Sequence, residues 1–255
     1  MLQFYRCLLG EFKKRKRSLF LLLHLGIPLI LPCTLVMYFL SRNNPINSEA
    51  SYVIFFELIG VGTPVIISII CGMVADSENE AGHFQNMVGV IQSKTISFMS
   101  QTTMMIFSYS AAIFLTILIY SLALKFLVGV HEVHFTLYYL TGIIFIIASI
   151  FQYFFYQVLG YKYGIGISSI CGFGGLIITA LSLTTIGDKV WKFLPWAWAN
   201  RFSEYLTDYW KMTDITLFSN PMLVTGYYLF LILTIGMAVL SIVWINNWTG
   251  RKTID

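Results

Sequence analysis

Hydrophobic residues in this chain gather into six long, nearly unbroken runs, over residues 18–40, 52–74, 100–124, 137–159, 164–185 and 222–245. Each is close to the ~20 residues that cross a bilayer as an α-helix. The runs do not alternate and are about twice the length of a barrel strand, so the pattern predicts helices. Ahead of the first run, residues 1–12 place Leu2, Tyr5, Leu8, Leu9 and Phe12 at helical spacing, with Arg6 and Glu11 elsewhere on the wheel. That spacing predicts a short amphipathic helix lying in the membrane interface.

Two polar breaks interrupt the apolar pattern. The first, ADSENEAGHFQNMVGVIQSK over 75–94, puts Ala81, Phe84, Val88 and Ile91 on one stripe if helical, and Glu78, Gln85, Asn86 and Gln92 elsewhere. It reads as an amphipathic helix at the membrane face, suited to lie on lipid or dock into a soluble partner. A solvated connecting loop is the alternative that periodicity leaves open. Its acids Asp76, Glu78 and Glu80 favour a helix N-terminus and a basic partner surface. The second break, 186–221, carries Trp191, Trp196, Trp198, Tyr205, Tyr209 and Trp210. Aromatics at that density belong at a membrane interface, and short helices resting on it are expected. They are candidates either for an anchor belt or for contact with a ligand. The expected architecture is an all-α integral membrane protein, one six-span domain over 1–255.

Composition strengthens this reading. Charged residues make up 11% of the chain, against about 25% in soluble domains, and the mean hydropathy is +0.76. Such a chain lacks the polar surface to cover itself in water. The net charge of +4 conceals a cluster, Arg6, Lys13, Lys14, Arg15, Lys16 and Arg17, ahead of the first span. A basic cluster there sets orientation, with both termini and 75–99 cytoplasmic and 186–221 outside. It is too short, and too close to a span, to suggest nucleic acid; membrane lipid is the expected contact.

Reactive chemistry is scarce. Cys7, Cys33, Cys71 and Cys171 form no CxxC pair and read as packing residues. His131 and His134 in HEVH are an isolated HxxH without further ligands, so no metal is expected. No HExxH, GxSxG or GxxxxGK[ST] motif occurs, so any energy source lies in another chain. Within the spans, Gly164, Ser168 and Gly172 recur every fourth residue, a small-residue face for close helix packing. Glu57 lies near the outer end of the second run, where it either snorkels to water or serves a substrate. His24, alone in the first run, reads as packing.

The first break resembles the intracellular coupling segment of ABC type-2 export permeases, in Glu78-Asn79-Glu80-Ala81-Gly82 followed by Ser93-Lys94. Its finer form, EAGHFQNMVG, resembles the lantibiotic-immunity branch, which carries E-A-G-x-F-Q-N here, matched by Glu80, Ala81, Gly82, Phe84, Gln85 and Asn86. The N-terminal EFKKRKRSLFLLLHLGIPL is also similar to that branch, leaning to its MutG-type over its MutE/EpiE-type subunit and leaving both open. The resemblance implies that Glu78, Glu80, Gly82, Phe84, Gln85, Asn86 and Lys94 couple to a dimeric cytoplasmic ATPase, which binds the ATP and Mg2+. It implies a second, related six-span permease and a cationic peptide antibiotic expelled from the outer leaflet of a bacterial cytoplasmic membrane. Trp191, Trp196, Trp198, Tyr205, Trp210 and Glu57 are then the expected peptide contacts. The alternatives are a type-2 exporter of a drug or lipid-linked sugar, and a stand-alone membrane protein.

Overall fold

The computed structural model describes residues 2–42, 46–84, 93–130, 132–211 and 221–251. Among these the regular structure is helical, with no strand: α1 (Leu2–Arg15), α2 (Leu19–Ser41), α3 (Ser48–Glu80), α4 (Lys94–Ala123), α5 (Phe135–Tyr163), α6 (Ile165–Ser182), α7 (Trp198–Lys211) and α8 (Pro221–Asn247). Six of them, α2 to α6 and α8, are long and apolar enough to cross a membrane.

Local chemistry explains the helix ends. Asn47 caps α3, its side chain accepting from the Ala50 N–H at 2.7 Å, which satisfies one of the unpaired donors of a first turn. α4 runs on through a π-helical turn, Leu124–Val128, and stops at Gly129, whose φ of +79° suits glycine. Gly164, at φ +87°, joins α5 to α6 with no other linker.

α3 and α5 are the central helices. The interface between α3 and α6 is the most extensive in the molecule, followed by α3 with α5. Small residues explain the closeness of α6: a Cβ on Gly172 would lie 1.9 Å from Ser68 Oγ and 3.1 Å from the Pro64 carbonyl. A Cβ on Gly72 of α3 would lie 2.6 Å from the Ile165 Cα. The Ser168 hydroxyl donates to the Ser68 carbonyl at 2.8 Å across this seam. The face of Gly164, Ser168 and Gly172 is therefore the packing face of α6.

Aromatic residues fill the core near the start of α3. Phe55 stacks on Tyr120 at 3.9 Å between centroids, and the Tyr120 hydroxyl donates to the Ser51 carbonyl at 2.8 Å. A second, smaller cluster of Phe84, Phe98, Phe154, Tyr161 and Trp248 sits at the other end of the bundle.

The polar segment 75–94 departs from the expected single helix. α3 continues through Glu80, so Ala75–Glu80 are the end of a spanning helix. Residues 81–84 then form a turn, with φ of +128° at Gly82, +49° at His83 and +63° at Phe84. Positive φ is incompatible with a continuing helix, so the stripe through Ala81 and Phe84 is broken. Its remaining members, Val88 and Ile91, lie outside the described residues.

Candidate functional site

The end of α3 carries a dense polar cluster. Glu78 is buried at 6% exposure, and so are Glu11 and Arg15 of α1 at 4% and 7%. Lys14 Nζ donates to Glu78 at 2.9 Å and to Glu11 at 2.8 Å. Arg15 reaches Glu78 at 3.4 Å and also hydrogen-bonds the Ser77 hydroxyl. Burial works to lower the Lys14 pKa, but the hydrogen bonds and charges of Glu11 and Glu78 outweigh it and raise it. α1 thus turns its ionic face to the protein and leaves Leu2, Tyr5, Leu9 and Phe12 exposed. Outside a membrane that stripe would be unfavourable; against lipid it is the face an interfacial helix buries.

A second clamp holds the chain's C-terminal segment to the same end. Arg251 Nη2 donates to Asp76 at 2.8 Å and to the Gly160 carbonyl at 2.7 Å. The other Asp76 oxygen accepts from the Ile165 N–H at 3.0 Å, at the start of α6. Phe84, 1% exposed, packs edge-on against Trp248 at 4.8 Å. Lys94 donates to the Trp248 carbonyl at 2.7 Å.

The residues expected to couple to a partner therefore divide. Glu78 and Phe84 are internal anchors that fix the turn, and Lys94 ties the start of α4 to α8. Glu80, Ala81 and His83 are exposed, and Gly82 is half-exposed. Gln85 and Asn86 lie outside the described residues. Sequence reasoning read Arg15 as part of an orientation signal and Asp76 as a partner contact, and gave Trp248 and Arg251 no role, because each acts through a residue distant in the chain.

Replacing Glu78 with Ala leaves buried Arg15 with Glu11 as its remaining carboxylate. Breaking a buried ion pair costs about 3–5 kcal/mol; the surviving Glu11 and half-exposed Lys14 reduce this to about 2 kcal/mol. Hydrogen exchange over α1 should quicken in Glu78→Ala and much less in Glu78→Gln. Unchanged exchange in both would mean that α1 is held by other contacts.

At the opposite end of α3, the aromatic segment is built into the protein. Trp191 and Trp198 are 1% and 0% exposed. Trp198 packs edge-on against Phe151 at 5.8 Å and Phe230 at 5.2 Å. A Cβ at Gly226 would lie 2.4 Å from the Trp191 ring, so glycine makes room for it. Trp196 is half-buried; its indole N–H donates to the Tyr156 hydroxyl at 2.7 Å. Tyr205 is half-buried, and burial pushes its pKa up. Glu57 is exposed. The Trp210 side chain lies outside the described residues. Two of the expected contact residues, Trp191 and Trp198, are thus core, while Trp196, Tyr205 and Glu57 reach the surface. Among the described residues no three His, Cys, Asp or Glu side chains gather closely enough to hold a metal; His131 lies outside them.

Six apolar spans, an ion-clamped turn after the second, and aromatic turns before the last describe a multi-pass membrane protein. Residues 7–175, more than half of the chain, match the ABC-2 family transporter proteins, and the chain belongs to that family. It is the membrane permease component of an ABC-2 type transporter, the transmembrane subunit that does not hydrolyse ATP. Such permeases generally pair with an ABC ATPase, where the ATP is bound. No curated protein matches the chain.

Proposed function

We propose that this permease belongs to an exporter that removes a lantibiotic-type peptide, cationic and amphipathic, from the outer leaflet of a bacterial cytoplasmic membrane and so gives the cell self-immunity. A second, related six-span permease and a dimeric ATPase complete the transporter. Both termini and the turn after α3 face the cytoplasm, and the aromatic segment before α8 faces out.

The observation that supports this most is the anchored turn. Its exposed residues, Glu80, Ala81 and His83, stand on buried Glu78, which reaches α1, and on half-buried Asp76, which reaches α6 and Arg251 of the C-terminal segment and, through Arg251, α5. A push on this turn by a closing ATPase has rigid routes into the bundle. Motion of α3 carries the opposite end with it, because a 33-residue helix spans about 50 Å.

The test is peptide-stimulated ATP hydrolysis by the reconstituted complex. Glu80→Ala should lower the stimulation on the order of tenfold while the chain still inserts and α1 keeps its protection. Cells carrying this variant should lose resistance to the peptide. Full stimulation together with full resistance would sink the coupling role. Resistance to a drug in place of the peptide, or a lipid-linked sugar that stimulates hydrolysis, would keep the transporter and replace its substrate.

A further inference from the structure

A recess between α3 and α7 is lined by Glu49, Glu57, Glu204 and Asp208, with Tyr52, Phe56 and Asn200 among its other walls. Its volume is about 220 Å3, more than ten times the about 15 Å3 that admits one water. An acidic recess alone says little. Asn200 adds an independent observation: it is 3% exposed, lines the recess, and neither Oδ1 nor Nδ2 has a hydrogen-bond partner. A buried amide left unpaired on both atoms is disfavoured and calls for an explanation. Its position is built, since a Cβ at Gly60 would fall 1.9 Å from Asn200 Oδ1.

The charge in the recess is cancelled only in part, Glu204 being paired with Arg201. Arg201, beside it in α7, is already engaged by Asp188 at 2.7 Å, by Glu204 at 2.9 Å and by the Ser182 and Thr184 carbonyls. The carboxylates of Glu57 and Asp208 have no ion-pair or hydrogen-bond partner among the described residues. Negative potential concentrated in a recess draws in cations. A divalent ion would need six to eight oxygens to converge, and among the described residues no such acidic group forms. The carboxylates are spread along a wall that also presents Tyr52, Val53, Phe56 and Leu183. Spaced charge beside aromatic and aliphatic surface suits an ammonium on an apolar stem.

We propose that this recess binds a primary alkylammonium group of the transported substrate, a lysine side chain in a peptide, with Asn200 Oδ1 accepting from it and Glu57 and Asp208 neutralising it. This rests on the export reading above. It assigns to that reading the part of the substrate that is recognised.

The experiment uses the full chain in lipid nanodiscs and dansylcadaverine, a fluorescent primary alkylamine, beside its uncharged N-acetyl form. The wild type should bind the amine saturably and the acetylated probe far more weakly. The double variant Glu57→Gln, Asp208→Asn should weaken the amine roughly tenfold or more with an unchanged thermal midpoint. Asn200→Leu should also weaken it. Equal binding of both probes, wild-type affinity in the double variant, or displacement of the amine by stoichiometric Ca2+ would overturn the site. Resistance measured alongside separates the two readings. Full resistance in a double variant that no longer binds the amine overturns the site's role in transport. Unaltered peptide sensitivity when the whole chain is deleted overturns the export reading itself.

Discussion

Gly172→Leu should abolish assembly of the bundle, and Gly72→Ala should weaken it by about 2–3 kcal/mol, while Gly174→Ala should be close to neutral. The three glycines look alike in sequence. A Cβ at Gly174 meets nothing within 4 Å, whereas at Gly72 it meets the Ile165 Cα at 2.6 Å. Backbone cannot rotate aside as a side chain can, so α3 and α6 must separate. At Gly172 the Ser68 hydroxyl could turn away, but the Ser68 Cβ at 2.6 Å and the Pro64 carbonyl at 3.1 Å could not. In a membrane, close approach is most of what holds two apolar helices together, because lipid solvates separated apolar faces equally well. Thermal midpoints in detergent and membrane abundance provide the check. Equal loss at all three positions would show that the damage is to helices in general and not to this seam.

Trp198→Ala should lower stability by about 3–5 kcal/mol and remove most of the protein from the membrane. Trp196→Ala should leave abundance nearly unchanged. Trp198 is fully buried between Phe151 of α5 and Phe230 of α8, and its indole N–H donates to the Lys192 carbonyl at 3.1 Å. Removing it opens a cavity where α5, α7 and α8 meet and orphans that carbonyl. Trp196 is half-buried, and its loss removes a bond to Tyr156 and edge contact with Phe155. Under the export reading, Trp196→Ala should nevertheless alter tolerance of the peptide. The paired measurement is abundance by immunoblot and growth in peptide. If Trp198→Ala protein is abundant and only tolerance changes, the buried indole is a contact residue and the bundle opens further than this structure shows.

Together these effects describe a permease whose two ends are joined by one long helix. One end holds α1, the turn after α3 and the C-terminal segment by ion pairs. The other combines aromatic packing with an acidic recess. The largest stability effects fall on the seams between spans, whereas Glu80, Glu57 and Asp208 are exposed, where substitution costs the fold little and the proposed roles can be tested.

Six apolar runs, the basic N-terminal cluster, the small-residue face of α6 and the aromatic segment were legible in the chain because each rests on local composition or a short period. Lipid demands continuous apolar length, and helix geometry fixes which neighbours share a face. The fate of particular side chains was decided elsewhere. Glu78 reads as one of three acids on an amphipathic helix facing a partner, yet it is buried because Arg15, 63 residues away, arrives from α1. Trp198 reads like Trp196, yet Trp198 is fully buried against Phe230 of α8 while Trp196 is half-buried against α5. The helix through 75–94 stops at Glu80 because the aromatic cluster of Trp248 and Tyr161 draws Phe84 inward and bends the chain at Gly82. The acidic recess has no signature in sequence, since Glu57 and Asp208 lie on separate helices and Asn200 between them resembles any polar residue. Local periodicity determines which segments cross the membrane; contacts between distant segments determine which of their polar groups are hidden and which remain available for function.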